Sequence, residues 1–343
     1  MSARTAETGS RHARRAAAYP WLALVAAGSM IAALLFSKGV LAQETAYPTR
    51  TVQIVVPYTP GTTADTLARS FGPRLAERWK VAVVTDNRPG ATGSIGTAFV
   101  AKAPPDGHTL LFVATSFAMI PAVQPKLPFD AVTNFTPVAL IAMSAVGLLV
   151  HPQLPARSVR EFIQLAKRRP GQMLYSSPGN GGPQHLTMEL FKLETGSDIV
   201  HVPYKGLAGA MTDLIGGHVQ AMISALGTAA PYVGSGRLRL LAVMMAERAP
   251  AFPDVPTMKE LGLANLEVYT WYASFAPAGT PAPVVAKLNG DINSVLQQPD
   301  MREMLAKQAV NPAGGPPERL GELVKSELSR WKRVVTVAGI KAD

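Results

Sequence analysis

Short apolar runs rich in β-branched residues alternate along this chain with segments in which apolar residues recur every three or four positions. Residues 52–56 read VQIVV, and Leu67, Phe71 and Leu75 then follow at helical spacing. The same pattern predicts further strands at residues 81–85, 109–114, 173–177, 199–204, 219–224 and 238–245. Helices are predicted between them and at residues 281–296, 301–306 and 317–337. Strands that alternate with helices indicate an α/β fold with a mainly parallel sheet.

Two long extended stretches interrupt the alternation, at residues 137–150 and 266–276. They predict two crossings between lobes, so one lobe is discontinuous in sequence and the other is inserted into it. We expect lobe 1 to comprise residues 43–147 and 271–343, and lobe 2 to comprise residues 148–270. A cleft between two lobes that are joined by two strands is typical of proteins that close around a ligand.

A Gly- and Thr-rich turn, PYTPGTT, joins the first strand to the first helix at residues 57–63. The first N–H groups of a helix have no partner within it and favour an anion, so this turn is a candidate carboxylate or phosphate site. Gly61 allows close approach, Thr59, Thr62 and Thr63 add hydroxyls, and Asp65 can cap the turn. An ordinary connection that binds nothing is the alternative.

A second turn of this kind, PGNGGPQH, spans residues 178–185. Asn180 and Gln184 offer amide groups to a ligand, and Pro183 suits a first helical turn. In the first block, Thr115 and Ser116 follow a strand and should lie at the same edge of the sheet as residues 59–63.

The N-terminus has the pattern of an export signal. Arg4, Arg11, Arg14 and Arg15 precede an apolar run at residues 21–36, and residues 40–42 read VLA, so we expect cleavage after residue 42. A membrane anchor is an alternative, although the run is short for a span. The Arg14-Arg15 pair also suggests twin-arginine export, but its usual flanking pattern is absent and general secretion is the default.

Composition narrows the function. There is no cysteine, which excludes disulfides, thiolate metal sites and cysteine nucleophiles. Residues 1–42 hold five basic residues and one acidic residue, so their removal lowers the net charge from +10 to +6. No long basic run interleaved with aromatics appears, which argues against nucleic-acid binding, whereas a mild positive field suits an anionic ligand.

A set of ordered motifs carries a family resemblance. Beyond the two Gly-rich turns it includes NRPG at residues 87–90, APPDG at 103–107, HVPYKG at 201–206, PDVPT at 253–257 and FAPAGTP at 275–281. In these motifs the chain resembles the extracytoplasmic solute receptors of tripartite tricarboxylate transporters, the Bug receptors, over nearly all of the sequence after residue 42.

The resemblance implies a type II periplasmic-binding-protein fold, with two α/β lobes and a small carboxylate in the cleft between them. It implies that residues 59–65 and 180–185 grip the carboxylate through main-chain amides, hydroxyls and ordered water. The candidate ligand-binding residues are Tyr58, Thr59, Gly61, Thr62, Thr63, Asp65, Thr115, Ser116, Asn180, Gly181, Gln184, His185, Tyr204 and Ser224. The expected protein is a periplasmic monomer without a cofactor or a metal, and it delivers its solute to a membrane permease.

Two departures from the family pattern bear on specificity. Many members have two glycines where this chain has Gly61-Thr62. Many also carry aspartates on the strand that matches residues 219–226, where this chain has Gln220, Ser224 and Ala225. Without those carboxylates a ligand ammonium group has no natural partner, so we expect a dicarboxylate, tricarboxylate or aromatic acid without an amino group.

Three other functions are alternatives to the hypothesis of a solute receptor. Ser177 and His185 suggest a hydrolase, but no Gly-x-Ser-x-Gly elbow surrounds the serine. A nucleotide-binding enzyme is a second alternative, but neither Gly-rich turn completes a Walker or dinucleotide fingerprint. A receptor that reports its ligand to a signalling partner is a third alternative, which the sequence does not separate from transport. We expect no catalytic residue.

Overall fold

The structure is a computed structural model that describes residues 47–124, 126–307 and 310–340. The predicted export signal at residues 1–42 lies outside the described residues. The strands are β1 (Val52–Val56), β2 (Val83–Asn87), β3 (Thr109–Ala114), β4 (Phe135–Val150), β5 (Leu174–Ser177), β6 (Val200–Pro203), β7 (Ala221–Ala225), β8 (Arg239–Val243), β9 (Tyr269–Pro277) and β10 (Asn311–Pro312).

The helices are α1 (Thr63–Trp79), α2 (Ser94–Ala101), α3 (Ser116–Val123), α4 (Val159–Arg168), α5 (Pro183–Thr195), α6 (Leu207–Ile215), α7 (Leu226–Gly234), α8 (Ala282–Leu296), α9 (Pro299–Lys307) and α10 (Pro317–Ala338). The alternation of strands and helices follows the sequence pattern, and the α/β fold class is confirmed. Within the described ranges, no helix is both long and apolar enough to cross a bilayer.

The strands form two sheets that share β4. The first sheet has the order β2-β1-β3-β9-β4, with β10 also on β4, and the second has the order β4-β7-β5-β6, with β8 also on β4. Residues 135–145 of β4 pair with β9, and residues 146–150 pair with β7. The chain therefore passes from one sheet to the other between Ala145 and Val146.

The expectation of a mainly parallel sheet holds only at the outer strands. β1 is parallel to β2 and β3, and β5 is parallel to β6 and β7. Around β4 and β9 the pairings are antiparallel. The reason is that β4 leads the chain from the first sheet to the second and β9 leads it back. These two strands are therefore not joined to their neighbours by a parallel β-α-β crossover.

Helix α10 packs against both sheets. Its N-terminal half contributes Leu320 and Val324 to the core of the first sheet, and its C-terminal half contributes Trp331, Val334 and Val335 to the core of the second. Residues from Pro48 onward form one compact unit. The lobe boundaries after residues 147 and 270 therefore stay predictions.

Candidate functional site

A cavity of about 260 Å³ opens where the two sheets meet. Its wall includes Thr63 from the start of α1, Tyr272 from β9, and Gly227 and Thr228 from the start of α7. Ser144, Ala225, Lys307 and Val310 complete the lining. Because Ser144 lies on the strand that the sheets share, the cavity draws on both sheets and on the strand between them.

Of the candidate residues, Thr63 lines this cavity directly. It is the first residue of α1, so its backbone N–H belongs to the unpaired first turn of the helix. Its side chain forms a hydrogen bond with the hydroxyl of Tyr272. Burial raises the pKa of Tyr272, although this hydrogen bond acts in the opposite direction. Ser224 is buried on β7, next to the lining residue Ala225.

The turn that precedes α1 is clamped from within by Asp65. The carboxylate accepts hydrogen bonds from the backbone N–H of Gly61 at 2.9 Å, from Asn87 Nδ2 at 2.9 Å and from Arg69 Nε at 3.0 Å. Burial raises the pKa of Asp65, but these hydrogen bonds outweigh burial and hold it below its ordinary value. With a side chain that is 4% exposed, Asp65 shapes the turn as a buried anion.

The threonines of this turn hold its shape too. Thr62 caps α1, because its Oγ1 accepts the backbone N–H of Asp65 at 3.4 Å while it donates to the carbonyl of Thr59 at 3.1 Å. Gly61 adopts φ +84°, which a residue with a Cβ rarely adopts. Thr59 and Gly61 are exposed.

Tyr58 ties the first turn to the start of α3. Its hydroxyl lies 2.7 Å from Ser116 Oγ and accepts the backbone N–H of Ala114 at 3.0 Å. Burial raises the pKa of Tyr58, although both hydrogen bonds act in the opposite direction. Thr115 is buried, and its hydroxyl accepts the backbone N–H of Trp271 on β9 at 2.7 Å. Tyr58, Thr115 and Ser116 thus connect β1, α3 and β9.

The second turn is clamped by imidazoles. Gly181 N–H donates to Nδ1 of His185 at 3.0 Å, and the ring of His185 stacks on that of His201 with centroids 3.8 Å apart. His201 Nε2 lies 2.6 Å from Ser177 Oγ. The serine therefore pairs with His201, whereas the hydrolase alternative named His185, whose Nδ1 accepts the N–H of Gly181. Ser177 is also fully buried, which excludes it as a nucleophile.

The remaining candidates surround the second turn. Asn180 is exposed in the turn, and Gln184 is the second residue of α5. Tyr204 follows β6, and its hydroxyl donates to Asp213 Oδ2 on α6. Burial and this carboxylate raise the pKa of Tyr204 to about 12. Gly181 faces Val123 at the end of α3, which brings the second turn against a helix of the first block.

Sequence reasoning missed Ser144, Thr228, Tyr272 and Lys307 as lining residues. Ser144 and Tyr272 lie inside the two long extended stretches that were predicted to cross between lobes, and Lys307 directly follows the predicted helix at residues 301–306. Thr228 was included in a predicted helix without a ligand role. Among the described residues, no three His, Asp or Glu side chains gather where they would hold a metal ion.

Comparison with known proteins gives a consistent result. The sequence model described as "Tripartite tricarboxylate transporter family receptor" matches residues 67–340. BugT of Bordetella pertussis is 35% identical over 317 residues, which cover 91% of this chain and 97% of BugT.

Solved structures agree with that match. The R. palustris protein Rpa4515, solved with adipate, is 37% identical with a TM-score of 0.73, and the match covers 86% of this chain and 99% of that one. MatC from Rhodopseudomonas palustris, solved with bound malate, is 33% identical with a TM-score of 0.70, and the match covers 84% of this chain and all of that one.

Proposed function

Because the chain belongs to the family of tripartite tricarboxylate transporter receptors, we propose that it captures a small dicarboxylate in the cavity between its two sheets and delivers it to a membrane permease. Members of this family are solute-binding receptors and not enzymes. The ligand therefore leaves the protein chemically unaltered. The observation that carries the ligand class is the charge of the cavity wall.

Among the described lining residues, Lys307 carries a side chain that is charged at neutral pH, and none of them is a carboxylate. Its ammonium group pairs with Glu303 on the same helix at 2.7 Å, and the lysine side chain is 71% exposed. An ion pair this exposed contributes little to stability, so Lys307 can exchange Glu303 for a ligand carboxylate at small cost.

The starts of two helices add to this positive potential. Thr63 opens α1, and Gly227 and Thr228 lie in the first turn of α7. Unpaired N–H groups at a helix N-terminus stabilise a negative charge. Two helix N-termini and a lysine side chain surround this cavity. Because a single helix N-terminus serves one carboxylate, this arrangement suits a ligand with two carboxylates.

The known ligands of similar proteins support the same class. Adipate in Rpa4515 and malate in MatC are both dicarboxylates without an amino group. No acidic side chain stands among the lining residues that the structure describes, so they offer a ligand ammonium group no carboxylate partner. We therefore place amino acids below dicarboxylates in expected affinity.

The setting of this function is the periplasm, after removal of residues 1–42, with the receptor as a monomer that presents its ligand to permease subunits. Similar proteins are periplasmic transport receptors, which supports this setting.

Isothermal titration calorimetry with adipate and with hexanoate, which has the same chain length and one carboxylate, tests the ligand class. We expect adipate to bind more tightly than hexanoate. Lys307→Met should weaken adipate binding about 5- to 30-fold, as expected for a charge-assisted contact of about 1–2 kcal/mol, and leave hexanoate unchanged. Glu303→Gln is the matched control, and it should retain wild-type affinity or bind adipate slightly more tightly.

Equal affinities for adipate and hexanoate would contradict the dicarboxylate assignment. If the protein binds none of the acids but is stabilised by nucleotides, this result would contradict the receptor function itself. A thermal-shift screen separates these cases, because a ligand at 100 times its Kd adds about 2.7 kcal/mol of stability.

A further inference from the structure

Three rings form a stack beneath the second turn. The ring of His201 on β6 stacks against the rings of Tyr175 and His185, with centroids 4.8 Å and 3.8 Å away and interplanar angles of 23° and 16°. The centroids of Tyr175 and His185 are 6.3 Å apart. Tyr175 comes from β5 and His185 from the first turns of α5. The stack joins two strands to the helix that the turn opens.

Hydrogen bonds connect this stack to the backbone of the turn at two points. His185 Nδ1 accepts the N–H of Gly181 at 3.0 Å. Ser177 Oγ, bonded to His201 Nε2 at 2.6 Å, contacts both the carbonyl of Gly179 at 2.8 Å and its N–H at 3.3 Å. The two imidazoles therefore hold residues 179–181 from below.

Counting hydrogens assigns the tautomers. Ser177 has one hydroxyl hydrogen, and all three of its contacts are satisfied when that hydrogen goes to the carbonyl of Gly179. The serine oxygen then accepts from Gly179 N–H and from His201, which makes His201 Nε2 a donor. His185 Nδ1 must be unprotonated to accept from Gly181. The arrangement requires His185 to be neutral.

Burial and the groups around the stack both oppose protonation of His201. Burial lowers the pKa of His201 most, and His185 and Lys192 lower it further, to about 4. Lys192 lies on α5 with its ammonium group 2.8 Å from Glu189 Oε1 and 5.9 Å from the Tyr175 ring centroid. Glu189 in turn accepts the hydroxyl of Tyr175 at 2.6 Å. The carboxylate is thus occupied by Tyr175 and Lys192.

We propose that His185, His201 and Ser177 are positioning residues that hold the backbone of residues 179–181 in its ligand-binding shape, and that protonation of the imidazoles releases this turn and lowers ligand affinity. A protonated His185 loses its acceptor for Gly181, and two stacked cations 3.8 Å apart repel each other. This inference rests on the proposed function and on the sequence-based expectation that residues 180–185 contact the ligand.

The sign of the effect follows from linkage. The held turn keeps His201 neutral, whereas a released turn lets its pKa return toward the ordinary value near 6.5. Between about pH 6.5 and pH 4 the released form binds more protons, so affinity falls as the pH falls through this window.

Calorimetric titration of the purified protein with malate from about pH 8 to about pH 5 tests the inference. We expect the Kd of the wild type to rise about tenfold between pH 6.5 and pH 5 relative to a control variant without His201. That variant is His201→Gln, whose side-chain amide donates to Ser177 but does not titrate. It should bind several-fold more weakly at pH 8 and show a flatter profile.

Two further variants separate positioning from general stability. Ser177→Ala removes the link between His201 and Gly179 and should flatten the pH profile, whereas Ser177→Thr keeps the hydroxyl and should restore it. His151→Gln, which changes a histidine at the end of β4, should keep the wild-type profile. Malate has the same protonation state at a given pH whichever variant is titrated. Differences between the pH profiles therefore arise from the protein.

Parallel profiles for the wild type and His201→Gln would overturn the inference. If the wild type binds no acid even at pH 8, the proposed function fails. The turn can then be followed without ligand through the amide-exchange protection of Gly181. We expect this protection to fall below pH 6.5 in the wild type and to stay constant in His201→Gln, and equal protection in both proteins would overturn the inference. Should His201→Gln not fold by circular dichroism, Ser177→Ala provides the same comparison.

Discussion

The two Gly-rich turns share one sequence pattern, a strand followed by a turn and the start of a helix, yet different chemistry holds them in place. The first turn is held by the carboxylate of Asp65, which is supported by Arg69 and Asn87. The second is held by the neutral imidazoles of His185 and His201 through Gly181 and Ser177. The first turn is held only while the carboxylate of Asp65 is ionised, and the second only while its imidazoles are neutral. As the pH falls, the second turn should therefore be released well before the first.

Removal of the carboxylate should have the largest effect on stability. Asp65→Ala leaves Gly61 N–H, Arg69 and Asn87 without their acceptor, and we expect a loss of about 2–4 kcal/mol in the free energy of unfolding. Urea denaturation measures the loss. Asp300→Ala, which removes an exposed partner of Arg74, is the control and should leave the midpoint nearly unchanged. A small effect of Asp65→Ala would show that the first turn does not depend on its clamp.

Alanine at the central glycine of each turn gives a matched pair. Gly61 and Gly181 have φ values of +84° and +67°, so either substitution should cost about 1 kcal/mol of left-handed strain. Only at Gly181 would the new Cβ meet another side chain, since Val123 Cγ1 lies 2.8 Å away, and overpacking of this kind costs about 1–3 kcal/mol more.

A double-mutant cycle checks the cause of that difference. Val123→Ala combined with Gly181→Ala should recover the overpacking cost but not the left-handed strain. Equal losses for Gly61→Ala and Gly181→Ala would mean that the second turn does not press on α3.

The pH dependence of unfolding compares the two clamps directly. The lowered pKa of His201 adds stability that is present above its ordinary pKa of 6.5 and is lost as the pH falls to about 4. The stability that Asp65 adds is lost only below its ordinary pKa of 3.8, because its folded pKa is lower still. The free energy of unfolding should therefore fall between pH 6.5 and 4 by no more than about 1.4 kcal/mol per pH unit for this one proton.

Urea melts at intervals across that window measure the slope. His201→Gln should make the slope shallower and Asp65→Asn should not change it. If Asp65→Asn alone altered the slope in this window, the assignment of the two clamps would be reversed.

The smallest effect concerns the loop that packs against the first turn. Ala91 and Thr92 have φ values of +44° and +56°, and Gly93 lies against Tyr58. Thr92→Gly should relieve left-handed strain but increase the entropy of the unfolded chain, for a net gain of no more than about 1 kcal/mol in thermal melts. Thr97→Gly, in the interior of α2, is the control and should destabilise the protein. A loss of stability on Thr92→Gly would show that this loop is not strained.

Sequence reasoning succeeded where chemistry and periodicity lie close together along the chain. The turn at residues 57–63 precedes the helix that it opens, so the sequence predicted that Asp65 caps the turn, and its carboxylate does accept the backbone N–H of Gly61. Thr62 was predicted as a hydroxyl for the ligand and not as the N-cap of α1. The turn at residues 178–185 was likewise predicted to open a helix with Pro183 in its first turn, and that helix is α5. The sequence also indicated the extended stretch at residues 137–150, which the structure shows as the strand shared by both sheets.

The contacts that sequence reasoning missed depend on strand order. Ser177 and His201 are 24 residues apart and meet because β5 and β6 are parallel neighbours in the register Ser177 to Pro203. Tyr272 enters the cavity because β9 returns beside β4, and Lys307 enters it from a helix late in the chain. No local pattern marks such residues, since their neighbours in space come from distant segments.

A crystal structure of the protein in complex with adipate tests most directly whether the cavity between the two sheets is the ligand site. We expect electron density for the diacid between Thr63 and Thr228, with one carboxylate at a helix N-terminus and the other within hydrogen-bond distance of Lys307. Density for the diacid elsewhere on the protein, or an empty cavity at saturating adipate, would contradict this expectation.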